Sequence, residues 1–346
     1  MPNTHFQCDH YDAIIVGARC GGATTAMLLA RSGATVLVLD RGTYGSNTLS
    51  THALMRTGVA LLHRWNILPE IITAQTPPVR QASFVYGSET VAVDIKQENG
   101  IDGLFAPRRT VIDRLLVDAA VKAGAEIHFG VNVEDLQRDD TGRVAGVFAR
   151  CAQGTSKNVT ADIVIGADGV RSLVAERVGA SDQVKANHRS AALFGYFTGI
   201  ENRGYRWLYR PGSNVGLIPT NDGLHCVFVL VPPNEFRRYF AGNSMDGLVN
   251  VVGMHDPDIA EKIRLASSKT RLSRYAGIRG HLRQAHGPGW ALVGDAGYFK
   301  DPITAHGMTD ALRDAQLLSD ALVSQRPNAL AEYQEVRDML SHRLFN

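Results

Sequence analysis

A short apolar run, Ala13-Ile14-Ile15-Val16, passes directly into the glycine-rich turn Gly17 to Gly22. Behind the turn, Ala23 to Ala30 is a stretch of helix formers, closed by Gly33 where a helix stop belongs. Thr35 to Leu39 is a second β-branched run and ends on Asp40. Strand, helix and strand within about thirty residues make a βαβ unit, whose strands are parallel and buried on both faces. The chain therefore predicts an α/β fold with a parallel sheet at its start.

The turn reads Gly17-Ala18-Arg19-Cys20-Gly21-Gly22. A dinucleotide fingerprint wants glycine for the tight turn, for close approach of a pyrophosphate, and for helix–strand packing. Gly17 and Gly22 hold the first and third positions, and Arg19 replaces the second. Any tight βα turn would carry similar residues. Asp40 supplies the context, standing at the end of the second strand where an acid bonds ribose hydroxyls. Arg19 either offers charge to a pyrophosphate or is a solvated arginine.

Further along, QASFVY and TVAVDI around Gly87-Ser88-Glu89 predict a hairpin over Gln81 to Ile95. A helix is expected from Arg109 to Lys122, and strands over Glu126–Phe129, Val144–Arg150 and Val159–Ile165. After about Ala180, aromatic and polar residues alternate over Tyr205 to Arg210, turns fall at Pro211-Gly212 and Asn221-Asp222-Gly223, and Val227 to Val231 is an apolar strand. That region reads as an antiparallel sheet with helices near Asn234–Phe240 and Asp258–Ser267. Trp290 to Val293 returns to the buried-strand texture and runs into Gly294-Asp295, with helices after it from about Met308 to Leu322 and from Ala329 towards Arg343. The expected division is a parallel-sheet α/β domain over 1–75, 103–180 and 272–346, with an interleaved sheet domain over 76–102 and 181–271.

Thirty-six basic residues against thirty-four acidic ones leave a formal charge of +2 over 346 residues, which gives no electrostatic footprint for nucleic acid or anionic membrane. The four cysteines show neither C-x-x-C spacing nor disulfide density and read as reduced thiols. With no signal-peptide layout at the N-terminus and no membrane-spanning apolar run, a cytoplasmic protein is expected. His281 and His286 lack partners at ligand spacing, so no metal site is expected. Ser172 lacks a nucleophile-elbow context.

Four ordered stretches, VGARCGGATTAMLLARSGATVLVLDR, PRRTVIDRLLVDAA, GADGVRS and ALVGDAGYFKDPITAHGMTDALRDA, resemble the FAD-dependent monooxygenases of the para-hydroxybenzoate hydroxylase type. The resemblance covers nearly the whole chain. It implies a Rossmann-like FAD-binding domain carrying an interleaved, mostly antiparallel substrate sheet. Residue by residue, it implies Gly17 and Gly22 at the pyrophosphate and Asp40 at the adenosine ribose, with Arg19, Gly21 and Arg41 among the cofactor-binding residues. Arg109 would reach the phosphate or ribityl region, and Val133 the adenine. Asp168 lies in a turn serving FAD and NAD(P)H, and Gly294-Asp295 meets the ribityl chain. Gly307 and Met308 would aim backbone N–H groups at the flavin pyrimidine edge.

The resemblance also implies NADH or NADPH as electron donor, O2 as co-substrate, and a flavin C4a-hydroperoxide acting on an aromatic or unsaturated small molecule. Where the family carries Gly-Gln-Gly this chain has Ala305-His306-Gly307, which makes His306 a candidate catalytic group, with His52 a second. Trp207, Tyr209 and Arg206 either line a substrate pocket or face solvent. Three alternatives stay open: a geranylgeranyl-reductase-like saturase, a halogenase (disfavoured because W-x-W-x-I-P is absent), and a flavin-binding partner protein that does not turn over.

Overall fold

The structure is a computed structural model, and it describes residues 6–151, 154–266, 271–342 and 345. The chain opens with β1 (His10–Val16), α1 (Cys20–Arg31) and β2 (Val36–Asp40), the expected βαβ unit. Next come α2 (Arg56–Arg64), α3 (Leu68–Thr73), the hairpin β3 (Gln81–Tyr86) and β4 (Glu89–Asp94), and α4 (Arg109–Lys122). β5 (Glu126–Phe129), β6 (Val131–Arg138), β7 (Val144–Cys151), β8 (Ser156–Gly166) and α5 (Leu173–Arg177) complete the first half.

The second half holds β9 (Asp182–Lys185), β10 (Ala191–Phe197), β11 (Tyr205–Arg210), β12 (Ser213–Pro219) and β13 (His225–Val231). Three helices follow, α6 (Pro233–Phe240), α7 (Ser244–His255) and α8 (Pro257–Ala266). Then come β14 (Ser273–Tyr275), β15 (His281–Arg283), β16 (His286–Gly287), β17 (Trp290–Leu292), β18 (Tyr298–Phe299), α9 (Gly307–Ser324) and α10 (Ala329–His342). The expected ends of two helices, Ser267 and Arg343, lie outside the described residues.

The first sheet runs β16-β17-β8-β1-β2-β5, with β7 added along β8 and β6 along β7. β17, β8, β1, β2 and β5 are parallel. Their apolar runs are buried on both faces: Ala13, Ile15 and Val38 meet α1, α4 and α9, while Ile14, Leu37 and Leu39 meet the β6–β7 side. This is the parallel-sheet pattern that continuous apolar strands predict.

The second sheet runs β14-β10-β13-β12-β11-β3-β4, antiparallel except where β3 lies parallel to β11. The hairpin from the first half thus joins strands from the second half in one sheet. One face of it buries Leu193, Leu217, Val227 and Val229 beneath α7 and α8. The other face, with Ala192, Phe194, Phe228 and Leu230, turns towards the parallel-sheet domain. A third sheet has three strands, β18-β15-β9. Among the described residues no helix is long and apolar enough to cross a membrane.

A candidate flavin site between the two sheets

A single cavity of about 610 Å³ runs from the β1–α1 turn to the second sheet. At one end the chain must bring two backbones into contact. A Cβ on Gly22 would lie 1.8 Å from the carbonyl oxygen of Gly17, so only glycine lets α1 start against the strand it leaves. No side chain caps α1, and Gly17 and Gly21 line the cavity, leaving the helix's first N–H groups to a ligand. Asp40 accepts from the Ala18 and Gly42 N–H groups at 2.7 and 2.6 Å, which fixes its carboxylate at the cavity's edge beside Arg41.

Arg19 lines the cavity too, with its charge already engaged. Its guanidinium pairs with Asp113 at 3.2 Å and donates to Ser46. Asp113, buried on α4, is a hub: Arg109 grips it through Nε and Nη2 at 2.9 to 3.1 Å, and the Cys20 thiol donates to it at 3.1 Å. Burial pushes the Cys20 thiol's pKa up, so it stays a thiol. Arg109 lines the cavity with its charge already committed.

Asp168 also lines the cavity, but its carboxylate is engaged by its own turn. It accepts from the Ser172 hydroxyl at 2.5 Å and from the Leu173 and Val174 N–H groups at 2.6 and 3.3 Å, capping α5. Val133 lines the same end from β6. Asp295, at the end of β17, borders the cavity, and burial raises its pKa to about 6, with the carboxylates Asp310 and Asp314 adding to the rise and Arg109 opposing it.

At the far end α9 begins. Gly307 and Met308 line the cavity, and no side chain caps the helix. His306 itself is not among the lining residues; its Nδ1 hydrogen-bonds the Thr304 carbonyl at 2.5 Å, and burial lowers its pKa. His52 is fully buried, lines the cavity, and shares a hydrogen bond through Nε2 with the Tyr196 hydroxyl, while its Nδ1 has no partner. Burial, with Arg109 and Arg108 nearby, holds its pKa at about 3, so the ring is neutral. Its backbone sits at φ 64°, the strained left-handed region.

Trp207 and Tyr209 lie elsewhere. They stack on Phe84 and Tyr86 at ring separations of 5.3 and 5.1 Å, and Arg206 pairs with Asp256 at 3.1 Å. None of the three is among the cavity's lining residues. Lining groups that sequence reading passed over include Tyr275, Phe194, Phe228, Lys300 and Asp310. Lys300 is buried 2.5 Å from Asp310, and its neighbour Asp301 caps the short turn before α9.

These features suit a dinucleotide. Two uncapped helix N-termini open on one cavity and favour electron-rich groups, one of them near the fixed carboxylate of Asp40, and the same cavity is bordered by the apolar second-sheet residues Phe194, Phe228 and Leu230. The family described as FAD binding domain matches residues 10–343. The chain belongs to that family. It is a flavoprotein, and FAD is its cofactor. Protein FixC of Salmonella typhi is 33% identical over 194 residues, covering 52% of this chain and 41% of FixC. The matched stretch thus spans less than half the length of that relative. Digeranylgeranylglycerophospholipid reductase of Methanocella arvoryzae is 24% identical over 364 residues, covering 96% of this chain and 84% of the reductase. Among solved structures, PqsL of P. aeruginosa bound to 2-aminobenzoylacetate superposes with a TM-score of 0.82 at 23% identity, over 97% of this chain and 94% of PqsL. The flavin-dependent brominase Bmp2 gives 0.83 at 17%, over 95% and 84%. These likenesses establish a shared fold.

Proposed function

We propose that this FAD-dependent oxidoreductase is a monooxygenase drawing electrons from NADH or NADPH and acting on an aromatic or unsaturated small molecule. The observation that carries the reading is the continuity of the cavity, from the nucleotide turn at α1 to a carbon-lined face of the second sheet. Bound FAD supplies acceptance of hydride and activation of O2. The rest falls to the chain. Gly17, Gly21 and the α1 N-terminus bind the pyrophosphate, Asp40 the adenosine ribose, and Asp295 the ribityl hydroxyls. The N–H groups of Gly307 and Met308 stabilise negative charge on the pyrimidine edge. Phe194, Phe228 and Leu230 exclude water from the reacting end. His52, neutral and held by Tyr196, is placed to give or take a hydrogen bond there without bringing charge.

The full-length match to the archaeal reductase supports a second reading, reduction of an isolated double bond without oxygen. Oxygen decides between them. FAD-loaded protein mixed with NADPH or NADH and a panel of phenols, aryl ketones and polyenes is expected to consume O2 faster with at least one compound, and mass spectrometry with ¹⁸O2 is expected to find label in the product. Saturated product formed anaerobically favours the reductase. FAD binding with no stimulated NAD(P)H oxidation by any compound favours a non-catalytic partner protein.

A further inference from the structure

The second-sheet wall of the cavity is laid down in cross-strand rows. Tyr275, Ala192 and Leu230 form one row across β14, β10 and β13, and Phe194 faces Phe228 in the next. All five line the cavity. Phe228 lies over Gly216 of β12, where a Cβ would come within 1.9 Å of the ring, so the ring rests against the sheet instead of filling the space.

Four of these side chains offer only carbon. The fifth, Tyr275, accepts from the Ile278 N–H at 2.8 Å, and no described group takes its own proton. Burial pushes its pKa up to about 12, so the proton stays. The cations that line this half are already engaged, Arg109 and Arg19 by Asp113 and Lys300 by Asp310, while Arg189, exposed and not among the lining residues, also acts on the Tyr275 phenol. Arg41 and Arg171 stand at the nucleotide turns. Asp301 accepts from the Ser190 and Ile303 N–H groups, and its negative charge would repel an anion. A carboxylate placed on this wall would lose its water without gaining an unengaged counter-ion from this half of the lining. An uncharged acceptor would satisfy the phenol's idle donor.

We propose that the substrate is an uncharged, largely apolar molecule with one hydrogen-bond acceptor. It lies on the Ala192–Phe194–Phe228–Leu230 face, and the Tyr275 hydroxyl orients it by donating to that acceptor. The inference rests on the function proposed above for assigning this half of the cavity to substrate.

The test titrates FAD-loaded protein with 2-acetylnaphthalene, naphthalene, 2-naphthoate and 2-naphthylmethylamine, reading the flavin's visible spectrum. The ketone is expected to bind roughly tenfold more tightly than the hydrocarbon and the carboxylate. Tyr275→Phe is expected to bring the ketone down to the hydrocarbon's affinity. Leu230→Lys, which plants a cation on the wall, is expected to turn the preference towards naphthoate. No binding of the ketone, naphthoate or the amine binding as tightly as the ketone, or a ketone advantage that survives Tyr275→Phe would each overturn the inference. If Tyr275→Phe fails to fold, Leu230→Lys decides: gained naphthoate affinity supports the wall, and unchanged preference overturns it. Oxygen uptake is scored separately. Binding in the stated order with no uptake from any compound removes the monooxygenase reading and leaves the substrate class standing.

Discussion

At the scale of single residues, Asp295 stands just past the end of β17 and borders the cavity. Burial dominates its charge and raises its pKa from 3.8 to about 6. The unfolded chain releases this proton near pH 4, while the folded apoprotein keeps it until about pH 6. Stability of the apoprotein should therefore fall as pH rises from 4 to 6, by up to about 3 kcal/mol at about 1.4 kcal/mol per pH unit, and less where cavity water reaches the carboxylate. Urea unfolding of apoprotein across that window measures it, with Asp295→Asn as the control. The difference between the two proteins should shrink to nothing below pH 4 and be constant above pH 6. A wild-type curve parallel to the variant's throughout would remove the assignment. Asp295→Ala should also emerge from purification folded but without FAD, because it lacks the partner for the ribityl hydroxyls; full FAD occupancy in that variant would show the carboxylate is not needed to hold the cofactor.

At the scale of elements, α9 and α10 are joined by buried charge. Asp314, completely buried, accepts from Arg313 at 2.7 and 3.0 Å, and Arg313 also pairs with Asp310, which meets Lys300. The link to α10 is the Arg313 guanidinium, which donates to the Ser341 hydroxyl at 3.1 Å, and Arg337, equally buried on α10, acts on Asp314 electrostatically while donating to the Arg283 carbonyl at 2.6 Å. This network fixes the start of α9, and with it the N–H groups that face the cavity. Asp314→Ala would leave buried cations undercompensated, and a loss of about 3–5 kcal/mol is expected in urea denaturation of the FAD-loaded protein. A loss under about 1 kcal/mol would mean the arginines find other partners.

The elements best read from sequence were those with a strong local period. The βαβ unit, the β3–β4 hairpin, α4 and α9 all stand within a few residues of where their patterns place them. α7 escaped because Ser244 to His255 carries two glycines and a β-branched run, and it is helical only because Leu248, Val251 and Val252 bury against the second sheet. β10, Ala-Ala-Leu-Phe-Gly-Tyr-Phe, lies between two strands with both faces covered, so it shows no alternation to read. The site divides the same way. Gly17, Asp40, Asp295 and Gly307 sit at strand ends and helix starts, which sequence locates. The alternation over Tyr205 to Arg210 leaves open whether Trp207 and Tyr209 line a pocket or face solvent, because their position follows from the parallel register of β11 on β3, set by contacts more than a hundred residues apart. Lys300 and Tyr275 reach the cavity through tertiary packing alone.

At the scale of the whole molecule, the central claim is that one cavity holds FAD at the parallel sheet and presents its reactive end to a carbon-lined second sheet. The most direct measurement is the visible spectrum of the purified protein, followed by stopped-flow mixing of its anaerobically reduced form with air. Stoichiometric FAD is expected, not displaced by NADP, and the reduced form should reoxidise in air, with oxygen consumption coupled to product when a fitting compound is present. A protein that binds NADP in this cavity and excludes FAD, or one whose reduced flavin is indifferent to oxygen with every compound offered, would contradict the account.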